Sequence, residues 1–123
     1  MAGGFPTAYA NSLLDAVGAS AYIALYTTAP SDSSAGTEVS GTNYSRQALT
    51  LSAASARATT NPGAITYGPA GSNWGTIVAV AVMSASSGGT MRWWSTLTAS
   101  KAVTTGETFT IPIGDLDLAI AAS

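Results

Sequence analysis

The chain has 123 residues, which is enough for one domain with its own hydrophobic core and leaves little room for a second. Charged residues make up 8% of the chain, against roughly 25% in an average soluble domain, and the four basic residues are too few and too scattered to form a patch for nucleic acid. Histidine and cysteine are absent, which removes the commonest general base, the thiol nucleophile, disulfides and the best transition-metal ligands. We therefore expect no cofactor and no metal.

The low charge also indicates whether the protein is a free monomer or part of an assembly. A free monomer normally stays soluble through a charged surface. A chain this poor in charge is more typical of a protein that covers much of its surface with neighbours in an assembly. The alternative is a free β domain with a Ser/Thr-rich surface.

One helix is predicted, over residues 7–17. Pro6 precedes it and Gly18 follows it, as at many helix ends. Apolar residues recur at helical spacing on one face: Ala10, Leu13, Leu14 and Val17. We expect this stripe to dock on the domain's own sheet, since an exposed stripe would impair solubility. Docking on a neighbouring subunit is the alternative.

Strands are predicted at residues 21–27, 44–52 and 64–67, with a weak strand or a loop at residues 55–61. Residues 31–43 form a long polar loop with two glycines. Loops of this length are commonly functional or disordered. We expect it to be mobile in a monomer and held in an assembly, where it is the first choice for a contact loop.

Residues 74–97 contain all three tryptophans and predict the central hairpin, with its turn at residues 84–89. Residues 77–83 are apolar at every position, as in a buried strand. In the second arm, alternation places Met91, Trp93, Ser95 and Leu97 on one face and Arg92, Trp94 and Thr96 on the other. Trp93 is then a core residue, and Trp94 lies beside Arg92, partly exposed.

Trp94 has three interpretations. In the first, Trp94 is an anchor at a subunit interface, a position where Trp and Arg are common. In the second, it is covered by the helix or by the long loop. A sugar-stacking platform is the third and least supported by the sequence.

Further strands are predicted at residues 98–103, 108–113 and 115–120. Phe109, Ile111 and Ile113 are expected to point inward, and so are Leu116, Leu118 and Ile120. Pro112 cannot donate to a sheet, so its strand lies at an edge or ends there. In total, about seven short strands and one N-terminal helix predict an all-β fold: a single antiparallel β-sandwich over residues 1–123.

No nucleophile elbow, phosphate loop or dinucleotide fingerprint is present. Asp115 with Asp117, or Asp32 with Glu38, could join a calcium site or an acid/base pair, but solvated edge and turn positions explain them better. We therefore expect no enzymatic activity. Residues 1–6 lack the features of a signal peptide, and no apolar run is long enough to cross a bilayer, so no membrane association is expected.

Three segments resemble a group of small tailed-bacteriophage virion proteins, usually labelled tail-fibre, minor tail or head-decoration proteins. They are LYTTAPSDSSAGTEVSGTNYSRQALTLS (residues 25–52), WGTIVAVAVMSASSGGTMRWW (residues 74–94) and LTASKAVTTGETFTIPIGDLDL (residues 97–118). The resemblance implies a structural or adhesive role without catalytic residues. Together with the strand pattern, it makes these residues candidate subunit contacts: Thr37, Glu38, Val39, Tyr44, Arg46, Arg92 and Trp94.

Two hypotheses follow for the role in the particle. The first is a capsid decoration (cement) protein on the outside of the head shell, contacting the major capsid protein. The second is a tail, baseplate or fibre component that contacts a host-surface carbohydrate. In both, the protein is a virion component that assembles in the host cytoplasm with other virion proteins and with copies of itself. A trimer, seated on hexamers of the shell, is the expectation for a decoration protein.

Overall fold

The computed structural model describes residues 5–119, and within that range it contains one helix and nine strands. In chain order the elements are α1 (Thr7–Val17), β1 (Ala21–Thr28), β2 (Thr37–Glu38), β3 (Gln47–Leu49), β4 (Ala58–Thr60), β5 (Ile65–Tyr67), β6 (Gly75–Met83), β7 (Met91–Val103), β8 (Phe109–Ile111) and β9 (Asp117–Ala119). All strand pairs are antiparallel, so the prediction of an all-β fold with one short helix is confirmed. In this part of the chain, no helix is long and apolar enough to span a membrane.

Strand β1 lies inside the main sheet. One edge of β1 pairs with β6, which in turn pairs with β7. The other edge is shared by two short strands: β3 pairs near Ala21 and β2 near Tyr26. The continuous apolar sequences of β1 and β6 fit this position, because both faces of these strands are covered.

The main core lies against one face of this sheet. Two two-stranded ribbons, β4–β9 and β5–β8, and the helix α1 cover that face. The largest contributors to the core are Leu14 from the helix, Ile23, Leu25, Ile77 and Val82 from the sheet, and Tyr67, Phe109, Ile111 and Leu118 from the ribbons. The second layer is thus two short ribbons and a helix instead of one continuous sheet. The helix stripe docks on the protein's own core, beside β4, with Ala10 and Leu14 buried.

A bulge in the β6–β7 hairpin changes which side chains share a face. Val82 pairs with Trp93, whereas Met83 pairs with Met91, so Arg92 is an extra residue in β7. One extra residue shifts the alternation of side chains beyond it. Met91 therefore packs with Trp94, and Trp93 packs on the main core. The prediction that Met91 shares a face with Trp93 is wrong.

A second irregularity lies further along the same pair. Ile77 pairs with Lys101 and Ala79 with Thr96, so residues 97–100 of β7 lie opposite Val78 alone. The two strands predicted at residues 90–97 and 98–103 are one long strand, β7, with this irregularity between its regular parts. The predicted boundary between residues 97 and 98 coincides with this irregularity.

Three other predictions need correction. The loop at residues 31–43 is partly regular, since it contains a turn closed between Ser31 and Ser34 and then β2. The strand predicted at residues 44–52 is only three residues long, as β3. Ile113 is 67% exposed and not inward, because β8 ends at Ile111 and the chain turns after Pro112. Ile120 lies outside the described residues.

Asn61 joins two turns in the interior. Its side-chain amide donates to the carbonyls of Gly63 and Pro112, each at 2.9 Å, and its Oδ1 accepts from the backbone N–H of Leu116 at 3.0 Å. The side chain is fully buried. Buried polar groups are normally hydrogen-bonded in this way, and here the bonds hold the chain between β8 and β9 in place.

We expect Asn61→Ala to lower the free energy of unfolding by about 3 kcal/mol, because each buried polar group left without a partner costs about 1–3 kcal/mol. Urea denaturation measures the loss. The matched control is Asn73→Ala: Asn73 also accepts from a backbone N–H, that of Thr105, but at an exposed site where water can replace it. Equal losses in the two variants would contradict the role given to Asn61.

Candidate functional site

An open groove of about 740 Å³ lies between the loop at residues 31–36 and the tip of the β6–β7 hairpin. We call it the Trp94 groove. Its lining combines aromatic, charged and small residues, among them Tyr26, Asp32, Glu38, Arg46, Met83, Gly88, Met91, Arg92 and Trp94. Four of the seven candidate contact residues from the sequence therefore line one surface.

Trp94 lies on the face of the sheet opposite the main core. It pairs with Ala81 across the hairpin and packs on a cluster that includes Ala24 and Ala79. These alanines are fully buried, and their short side chains let a large ring approach the sheet closely. The indole N–H donates to Oδ1 of Asp32 at 3.4 Å. Trp94 is half-buried, in agreement with its predicted partial exposure.

The bulge directs Arg92 to the end of the helix. Its Nη1 donates to the carbonyls of Val17 at 3.1 Å and Ala19 at 2.6 Å, with a longer contact to Ala16 at 3.4 Å. The last carbonyls of a helix lack partners within the helix and carry partial negative charge. Arg92 thus stabilises the contact between α1 and β7.

Glu38 and Arg46 form a bidentate ion pair at the wall of the groove. Arg46 donates from Nε to Oε2 and from Nη2 to Oε1, both at 2.8 Å. Two parallel bonds of this kind are strong and specific in geometry. Arg46 also donates from Nη1 to the carbonyls of Ala85 at 2.8 Å and Gly88 at 2.7 Å. One guanidinium therefore connects β2 to the hairpin turn.

Tyr44 extends this network into the core. Its hydroxyl donates to Oε2 of Glu38 at 2.7 Å and accepts from the backbone N–H of Leu25 at 3.0 Å. Its ring meets Trp74 edge-on at 5.6 Å between centroids and stacks with Tyr67 at 6.1 Å. Burial, together with the bond to Glu38, raises the pKa of Tyr44 far above its usual value, so the hydroxyl stays protonated as a donor.

The charge on Glu38 is set by competing effects. Burial by itself raises the pKa of this carboxyl, but the hydrogen bonds from Arg46 and Tyr44 outweigh burial and lower the pKa below its usual value of 4.5. Glu38 is therefore an anion at neutral pH, and its charge is balanced by Arg46 at close range.

The other candidate contact residues are placed differently. Val39 is buried in the main core, where its N–H bonds to the carbonyl of Leu25. Thr37 is exposed. Contact with other subunits stays a prediction for all seven residues. Sequence reasoning missed Asp32 as a neighbour of Trp94, because 62 residues separate them and no local pattern connects the two.

The other acidic pair lies in a second cleft, between β7 and the segment that contains β8. Asp115 and Asp117 are exposed there, beside an apolar surface that includes Trp93 and Leu97. Among the residues that the structure describes, no three acidic side chains come together in a way that could hold a metal ion.

The lowered pKa of Glu38 predicts how stability depends on pH. The network contributes fully above the ordinary pKa of 4.5 and is lost as the pH falls through the lower pKa of the folded state. We expect Glu38→Gln to destabilise the protein at neutral pH and to flatten the loss of stability below pH 4.5. Urea denaturation at a series of acidic pH values tests this.

The control is Glu107→Gln. A hydrogen bond from Thr104 lowers the pKa of Glu107 too, but this side chain is exposed and its partner lies in the same turn. Glu107→Gln should change the loss of stability below pH 4.5 less than Glu38→Gln does. A larger change would contradict the importance of the Glu38–Arg46 pair.

A comparison with known proteins gives a match over nearly all of the residues that the structure describes. A family model described as Podophage GP4 fiber I protein gp80 matches residues 7–119. No curated protein matches. The matched range begins with α1 and ends with β9, so it includes the core, the Glu38–Arg46 pair and the Trp94 groove. The resemblance to small tailed-phage virion proteins is confirmed, and the chain belongs to the family of the podophage GP4 fiber I protein gp80, a family of structural phage fibre proteins.

Proposed function

We propose that this protein is a structural subunit of a phage tail fibre. The match to a fibre family over residues 7–119 carries the proposal. Of the two hypotheses from the sequence, this match favours the tail or fibre component over the capsid decoration protein. The protein belongs in the virion, and we expect it to assemble with other tail proteins and with copies of itself in the host cytoplasm.

The surface also supports a role in assembly. Among residues 5–119, three large apolar side chains are exposed: Phe5 at 48%, Tyr9 at 57% and Ile113 at 67%. Phe5 and Tyr9 stack on each other, with ring centroids 5.8 Å apart. Aromatic residues at a surface are typical of positions that neighbouring subunits cover. Only 8% of the residues are charged, so charge repulsion between copies of the protein is weak and does little to keep these exposed groups from associating.

A contact with host-surface carbohydrate is a second element of this function. The observation that favours it is the position of Trp94 beside Asp32 in an open groove, which combines an aromatic ring with a hydrogen-bond acceptor. Such a contact suits a fibre, which meets the host surface, better than a protein bound to the head shell.

The position in the particle can be tested with a single gold label. The chain has no cysteine, so Ser87→Cys at the exposed hairpin turn introduces one reactive thiol. We expect cryo-electron microscopy of particles labelled with maleimide-gold to show gold on the tail fibres. Wild-type particles treated identically correct for cysteines of other virion proteins. Gold confined to the head shell would overturn the fibre proposal and support decoration.

We expect the purified protein to form a homo-oligomer, because the exposed aromatic residues need a partner surface. Light scattering across a range of concentrations gives the mass directly. Tyr9→Ser should reduce the oligomer, whereas Thr66→Ser, at another exposed position, should not. A monomer at every concentration would contradict self-association.

A further inference from the structure

We propose that the Trp94 groove binds a neutral sugar ring, with the indole of Trp94 as the apolar platform and the carboxylate of Asp32 as a hydrogen-bond acceptor. The proposal rests on the proposed fibre function, because a fibre brings the groove to a glycan-bearing surface. It names both the site and the chemical class of the ligand.

The indole of Trp94 is held ready for such a ligand. It packs on Ala81 and the neighbouring alanines on one side and bonds to Asp32 through its N–H. Its remaining exposed surface faces the groove. The C–H face of a sugar ring is apolar and matches the negative face of an aromatic ring. A ring that is already fixed loses little conformational entropy when a ligand binds.

Polar groups for sugar hydroxyls lie beside the indole. A carboxylate has two oxygens with about four acceptor sites, and the indole N–H occupies one site on Asp32. Ser31 and Ser34 in the same loop accept bonds from the amides of Ser33 and Gly36, both at 3.4 Å. Their own hydroxyl protons can therefore be donated to a ligand. An apolar surface with a few polar groups is the usual composition of a small-ligand site.

The charges of the lining favour a neutral ligand over an anionic one. Glu38 and Arg46 neutralise each other at 2.8 Å. Arg92 directs its guanidinium at the helix carbonyls. With Asp32, the four charged side chains sum to zero, and the one carboxylate beside Trp94 would repel a sialic acid or a phosphate.

The loop that forms one wall is already shaped. Ser31 and Ser34 bond to each other through their backbones, at 2.9 and 3.3 Å. Gly36 has a φ of +65°, and a Cβ there would lie 2.5 Å from the carbonyl oxygen of Thr28. The loop therefore approaches β1 too closely for any other residue. The groove volume of about 740 Å³ is within the range of small-ligand sites and has room for one or a few sugar rings.

Saturation-transfer NMR on the full chain tests the proposal. The probes are methyl β-glucopyranoside, methyl β-galactopyranoside and methyl N-acetyl-β-glucosaminide, with a methyl sialoside as the anionic comparison. We expect at least one neutral glycoside to bind and the sialoside to bind more weakly. Trp94→Ala should weaken binding about tenfold, the size of one aromatic contact. Thr66→Ser changes an exposed side chain outside the groove and should leave binding unchanged.

Asp32→Asn is the second variant. It lies on an exposed loop and keeps an oxygen for the indole N–H, so the fold should be retained. It should weaken binding about fivefold, because a charged acceptor makes a stronger bond than an amide. Absence of binding by all neutral glycosides would overturn the proposal, as would unchanged binding in both groove variants or a preference for the sialoside. These results are independent of the gold position on the particle, so the glycan site and the fibre function can fail separately.

Discussion

The bidentate pair between Glu38 and Arg46 is the interaction on which the groove depends. The side chain of Arg46 is only 8% exposed, and every nitrogen of its guanidinium donates: to both oxygens of Glu38 and to two carbonyls of the hairpin turn. A planar fork with five donors can do this, and a lysine cannot. The β2 segment and the hairpin tip are far apart in the chain, and this one side chain holds them together.

Small residues make the rest of the arrangement possible. Alanines on the second face of the main sheet let Trp94 lie close to the backbone, and Gly36 lets the loop approach β1. The composition that suggested an assembled protein thus has a local explanation as well: close approach of loops and rings requires residues without bulk. The few charges that line the groove are mostly satisfied within the chain.

The core and the groove are built from different parts of the chain. Sheet, ribbons and helix form a core, and the groove is built from the loop at residues 31–36 and the end of a hairpin, where binding sites are commonly found. Composition alone could not separate a head protein from a tail protein, since both cover apolar surface with neighbouring subunits. The family match over residues 7–119 favours the tail or fibre role over the head, which composition could not do.

Local pattern determined much of this fold. Helical spacing with its flanking proline and glycine sufficed for residues 7–17, and apolar runs located the central strands, because these signals depend on neighbours within a turn or a strand. Tertiary structure decided the rest. The bulge at Arg92 is set by cross-strand pairing, and Ile113 is exposed because a turn ends the alternation. The contact between Asp32 and Trp94 joins residues that only the folded sheet brings together. The sequence therefore contained the residues of the candidate site as separate features. Only the tertiary structure, which places the hairpin beside the loop at residues 31–36, shows that they form one groove.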